Sequence, residues 1–92
     1  MSEALRILIV DDEAPARVRM RNLLSDLADD MPNQVVGEAA DGVAALELLA
    51  DTTADVALVD IRMPRMDGIE LALHLARLPQ PPAVIFATAY DQ

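Results

Sequence analysis

The chain contains no cysteine, no lysine and no tryptophan, and only Phe86 and Tyr90 among its 92 residues are aromatic. Without cysteine there is no disulfide framework, no thiolate metal site and no thiol nucleophile. With so few aromatics, the core must be built from Leu, Ile, Val, Ala and Met. All seven cations are arginines, set against sixteen acids for a formal charge of −9. No basic patch exists to neutralise phosphates, so this domain is expected to make no direct contact with nucleic acid. A surplus of acid is also common in proteins for reasons of solubility alone. No apolar run approaches membrane-spanning length, and no basic-then-apolar leader precedes the first strand-like run. The expectation is a cytoplasmic protein without membrane contact, and the length is that of one domain.

What is present is an alternation of strand-like and helix-like segments. Leu5 to Val10 is an apolar run. Ala16, Met20, Leu23, Leu24 and Leu27 then recur as one face of a helix, with Pro15 tolerated in its first turn. Met31-Pro32-Asn33 breaks that helix, and Gln34 to Glu38 reads as a short strand. Asp41 is placed to cap a second helix carrying Ala45, Leu46, Leu48 and Leu49. Val56 to Val59 is a third strand ending at Asp60. Asp67 is placed to cap a third helix from about Ile69 to Leu78, and Ala83 to Ala87 is a fourth strand. Strict β/α alternation predicts a parallel sheet with helices on both faces. The first, third and fourth runs are nearly continuous in apolar residues, as doubly covered strands require.

In such sheets ligands bind beyond the carboxyl ends of the strands, where the winding reverses. Asp11 and Asp12 follow the first strand, Asp60 ends the third and Thr88 follows the fourth. Two unit charges about 4 Å apart repel by roughly 4 kcal/mol at an effective dielectric near 20. A gathering of acids at one sheet edge therefore needs a reason, and a hard divalent cation supplies it. Mg²⁺ takes oxygen ligands, commonly one or two carboxylates with phosphate oxygens. Capping accounts for one Asp after a buried strand, but two adjacent acids exceed what capping needs. Glu13 suits the first turn of the helix better than the metal. His74, alone between leucines, is assigned no role, and Met63 and Met66 read as loop packing.

Ile7 to Glu13, Val59-Asp60-Ile61-Arg62-Met63-Pro64-Arg65-Met66-Asp67-Gly68 and Phe86-Ala87-Thr88-Ala89 together resemble the receiver domain of bacterial response regulators. The ending Ala87 to Gln92 looks most like receivers that precede a LytTR-type DNA-binding domain. The resemblance implies a flavodoxin-like, doubly wound sheet of order 2-1-3-4-5. It implies Asp60 as the residue phosphorylated by a sensor histidine kinase. It also implies Asp11 and Asp12 as the acidic pair that holds Mg²⁺ with Asp60, and Arg62 as the position whose backbone carbonyl meets the metal. Thr88 matches the switch hydroxyl, and Pro64 and Gly68 match residues shaping the loop after the phosphoacceptor. The family's fifth strand and helix, its lysine and its switching aromatic have no counterpart here. Residues 1–92 are thus expected to form a receiver truncated at its carboxyl end, with strand order 2-1-3-4 and an output domain, DNA-binding and transcriptional, outside the chain.

Three other functions compete. A truncated or degenerate receiver could act as a phosphorylation-independent interaction module. A Mg²⁺-dependent phosphohydrolase with an aspartyl-phosphate intermediate, similar to haloacid dehalogenases, would place its acids one residue apart and carry a lid. A nucleotide-binding half-domain would need a glycine-rich turn, which Asp11-Asp12-Glu13-Ala14-Pro15 does not offer. The expected domain is no enzyme toward an outside substrate, assisting only its own phosphorylation and dephosphorylation. A homodimer through the fourth strand or third helix is expected. The strand is a long apolar edge, and the helix carries a second stripe (Ile69, Ala72, Leu73, Ala76) beside Leu71, Leu75 and Leu78.

Overall fold

A strand apolar on both sides has to be covered on both sides, and β1 (Leu5–Val10) meets that condition most fully. Ile7, Leu8, Ile9 and Val10 are all no more than 2% exposed. Each such side chain contributes about 1.5–3 kcal/mol by leaving water, so β1 anchors the molecule. The computed structural model describes residues 4–87. The elements after β1 are α1 (Ala14–Asp26), β2 (Asn33–Ala39), α2 (Gly42–Asp51), β3 (Val56–Asp60), α3 (Gly68–Leu75) and β4 (Ala83–Ala87).

The strands form one parallel sheet of order β2-β1-β3-β4. The chain runs outward from β1 to β2, then crosses back to β3 on the other side of β1. That reversal puts the switch point between the carboxyl ends of β1 and β3. Leu8, Val10, Ala57 and Val59 meet Ala45, Met63, Leu71 and Leu75 on one face. Ile7 and Ile9 meet Leu24 of α1 on the other, with Met20, Val35 and Leu58 packed around them. The arrangement is the expected doubly wound, flavodoxin-like fold.

Local chemistry sets the helix starts. The Asp41 carboxylate accepts from the Ala44 N–H at 2.8 Å and the Asp67 carboxylate from the Glu70 N–H at 2.8 Å, as the sequence predicts. β2 is one residue longer at each end than expected, and its register against β1 slips between Ile7 and Leu8. α3 stops at Leu75 instead of Leu78. Arg77 and Leu78 donate to carbonyls three residues back, a tightened final turn that runs into Pro79.

Two packing expectations need correction. The buried stripe of α1 centres on Leu24, flanked by the half-buried Ala16 and Met20. Leu23 is 53% exposed and Leu27 is also exposed, because the helix leans on the sheet only along that narrower stripe. β4 is the expected apolar edge, but its apolar run is not doubly covered: Ile85 is 52% and Phe86 41% exposed. β4 ends the strand order, and among the described residues no element lies beyond it. Of the two α3 stripes, Leu71 and Leu75 are fully buried while Ile69 and Leu73 face outward.

Candidate functional site

β1 and β3 are parallel neighbours, Val10 pairing with Val59. Residues following β1 and ending β3 therefore emerge side by side. Asp11, Asp12 and Asp60 each offer a carboxylate oxygen within 4.8 Å of the others. In octahedral Mg²⁺ coordination at 2.0–2.1 Å, ligand oxygens lie about 2.9 Å apart when adjacent and about 4.2 Å when opposite. The observed spread needs only small side-chain adjustment to reach that geometry. The all-oxygen donor set, with no His or Cys, suits a hard cation such as Mg²⁺. Asp12 is exposed, while Asp11 and Asp60 are half-buried.

Each acid is held differently. The Asp11 N–H continues the β1–β2 ladder to the Ala39 carbonyl at 3.0 Å. Its Oδ1 accepts from the Glu13 N–H at 2.9 Å, so Asp11 also contributes to the start of α1, where Glu13 sits at the N-cap without capping through its side chain. Asp60 Oδ1 accepts from the Arg62 N–H at 3.2 Å, which leaves its second oxygen without a partner among the described residues. Arg62 thus meets Asp60 through its N–H. The carbonyl expected to meet the metal accepts no hydrogen bond among the described residues. Thr88, the expected switch hydroxyl, lies outside the described residues.

Burial pushes the Asp60 carboxyl above its ordinary range, and the charges of Asp11 and Asp12 push in the same direction. The Arg62 N–H bond and guanidinium oppose the rise. A carboxylate destabilised in its charged form is relieved by a cation and gains by bonding to an electrophile.

The loop after Asp60 folds back on it. The Gly68 N–H donates to the Ile61 carbonyl at 2.9 Å. A Cβ on Gly68 would collide with the Asp60 carbonyl oxygen and come within 2.8 Å of the Ile61 Cα, so only glycine lets α3 start this close to Asp60. Met63 is buried in the core and Met66 lies over Gly42, which is loop packing as expected. Arg65 takes a positive φ of 71°, a left-handed turn residue inside this loop.

Comparison with known proteins settles the family. The model of the response regulator receiver domain matches residues 7–92. The chain belongs to the response regulator receiver family. It is 42% identical over 88 residues to the positive alginate biosynthesis regulatory protein of Pseudomonas aeruginosa, covering 96% of this chain and 35% of that protein. It is 38% identical to the sensory transduction protein LytT of Bacillus subtilis, with the same coverage of each. The chain thus spans about a third of the length of these curated relatives. The signal receiver domain of the response regulator NarL from Mycobacterium tuberculosis superposes with a TM-score of 0.84 at 38% identity, covering 99% of this chain and 71% of that one. Receiver membership sets aside the phosphohydrolase and nucleotide-binding readings. Among the described residues no helix is long and apolar enough to cross a membrane.

Sequence reasoning missed Arg17 and Glu38. The Arg17 Nη1 donates to the Asp11 carbonyl at 2.7 Å, while its Nε lies 3.4 Å from Glu38 Oε1. Arg21 Nε lies 3.0 Å from Glu38 Oε2. Nothing in periodicity or motif joins residues of α1 and β2 to Asp11, because the link depends on strand register.

Proposed function

We propose that Asp60 is the phosphoacceptor of this receiver and that Asp11, Asp12, Asp60 and the Arg62 backbone carbonyl are its Mg²⁺ ligands. The observation that carries the reading is the convergence of the three carboxylates within 4.8 Å at the sheet's switch point. Bound there, Mg²⁺ would neutralise the acids and a phosphoryl oxygen, which three carboxylates alone would repel. The chain's own part is positioning. Arg62 holds one Asp60 oxygen, leaving the other to attack the phosphorus in line. The O–P bond of an aspartyl phosphate forms as the donor phosphohistidine's P–N bond breaks and its imidazole departs, taking up a proton. The donor is a sensor histidine kinase, and residues 1–92 act as one domain.

The product adds about −1.5 to −2 charge at neutral pH. Thr88, immediately after β4, is the hydroxyl assigned to answer it. The output is a transcriptional DNA-binding domain of the LytTR type, in keeping with the similarity to LytT. The domain works in the cytoplasm, contacts neither membrane nor nucleic acid itself, and has no turnover beyond its own phosphorylation and dephosphorylation.

Thermal unfolding with Mg²⁺ and beryllofluoride, a phosphoryl mimic, tests this. A ligand at 100 times its Kd raises stability by about 2.7 kcal/mol. The intact chain should gain on that order, and Asp60→Asn should lose the beryllofluoride-dependent part. No gain in the intact chain would instead favour a phosphorylation-independent interaction module.

A further inference from the structure

Asp11 is pinned at more points than a metal-binding side chain alone requires. Its N–H is held by β2 through Ala39, its carboxylate by the turn through Glu13, and its carbonyl by α1 through Arg17. The third bond is short, 2.7 Å, and its donor is a full cation that is itself only 21% exposed, so it is among the stronger kind. Arg17 is in turn backed by Glu38, which it shares with Arg21.

The Asp11 carbonyl and the Asp12 N–H belong to one peptide plane, and that plane is rigid. A bond that fixes the carbonyl therefore fixes the direction in which the chain leaves Asp11. It sets the position of the Asp12 Cα, and with it where the exposed Asp12 carboxylate can reach. Asp12 makes no hydrogen bond of its own among the described residues.

We propose that Arg17, backed by Glu38, is a positioning residue that orients the Asp11–Asp12 peptide and so holds both carboxylates in register with Asp60. This rests on the reading of the three acids as a Mg²⁺ site. Arg17 reaches the metal ligands only through the backbone and touches neither phosphoryl group nor metal. A guanidinium suits the task because its fork can donate to the carbonyl and the carboxylate at once, which a lysine ammonium at the end of a flexible stem cannot do in a fixed geometry.

The sign of the effect separates positioning from charge. Removing a cation near three acids should strengthen binding of another cation if Arg17 acted by its charge alone. If it acts by position, removal should weaken binding. The test is Mg²⁺ titration calorimetry on the full chain, with far-UV circular dichroism and metal-free melting in parallel, for Arg17→Met and Arg17→Lys. Loss of partners behind a metal ligand typically weakens affinity 10–100-fold. Both variants should bind Mg²⁺ about 10-fold more weakly while still folded.

Unchanged or tighter binding in Arg17→Met, with only a lower melting temperature, would overturn the proposal in favour of a tie between α1 and β2. Wild-type affinity in Arg17→Lys would overturn it equally, and that variant decides the matter if Arg17→Met does not fold. In both cases wild-type binding that vanishes in Asp60→Asn leaves the metal site standing. An intact chain that binds no Mg²⁺ removes the site and this inference together.

Discussion

The carboxyl end of the sheet and its β4 flank are opposite kinds of surface. At the carboxyl end the backbone is tied down at close range: Asp11 by three elements, Asp60 by the loop that returns through Gly68. What stays uncompensated there is charge. On the flank, β4 reads Ala83-Val84-Ile85-Phe86-Ala87, with no charge, proline or bulge to discourage pairing. What stays uncompensated there, among the described residues, is apolar surface. Opposite β4, the β2 edge carries Asn33, Gln34 and Glu38 and a register slip. Polar strain maintained by a tight frame fits a site for a small ion; apolar exposure on a strand edge fits a large partner.

The largest expected effect tests the tightness of the frame. Gly68→Ala should destabilise the fold by about 1–3 kcal/mol, the usual range for overpacking, and should blunt the Mg²⁺ response with it. Chemical denaturation within 0.5 kcal/mol of wild type would mean the loop yields easily. That outcome would erase the contrast in rigidity.

A smaller effect follows from the charge. The folded Asp60 carboxyl titrates above its ordinary value because of burial and the neighbouring acids, so the folded state binds its proton more readily than the unfolded state. Its contribution is therefore fully present below the ordinary Asp value and is lost as pH rises through the raised one. Without metal, Asp60→Asn should match wild type at low pH and exceed it at neutral pH, by less than about 1 kcal/mol given solvent screening. Melting curves from pH 3 to 8 read this difference, and added Mg²⁺ should reverse it. A difference flat across that range would place no electrostatic strain at Asp60.

The smallest change in stability belongs to the flank. Ile85→Lys, on a side chain already 52% exposed, should alter the fold by no more than about 0.5 kcal/mol. It should nevertheless suppress self-association of the chain, visible by ultracentrifugation at high micromolar concentration. A wild-type chain that sediments as a monomer there would show that this edge does not recruit a second copy.

Much of this was legible in the sequence, for identifiable reasons. Runs such as Ile7 to Val10 and Val56 to Val59 declare strands, and Asp41 and Asp67 declare helix starts, because those signals are local. The three acids were legible because parallel order alone brings the ends of β1 and β3 together. The width of the α1 stripe was not, since Leu23 and Leu24 are equally apolar and only the tilt of the helix decides which is covered. β4 was legible as an apolar edge, but which of its side chains stay uncovered was not. An apolar run states what a strand can bury and says nothing of what stands beside it. The Arg17–Glu38 link was invisible for a third reason, which lies in β2.

The register slip between Ile7 and Leu8 inserts a half-step into β2. Val35 lies on the α1 side with Ile7, whereas Val36 and the Gly37 position both face α2, toward Leu48 and Leu8. Every residue after the slip changes sides. Glu38 comes level with Ile9, over α1, and Ala39 comes level with Val10, under α2. In an unbroken ladder Glu38 would stand opposite Val10 with its carboxylate aimed into the apolar layer, and Ala39 would face the two arginines. One supernumerary residue thus acts as a phase shifter, sorting a charge to the side of the sheet that has cations waiting for it.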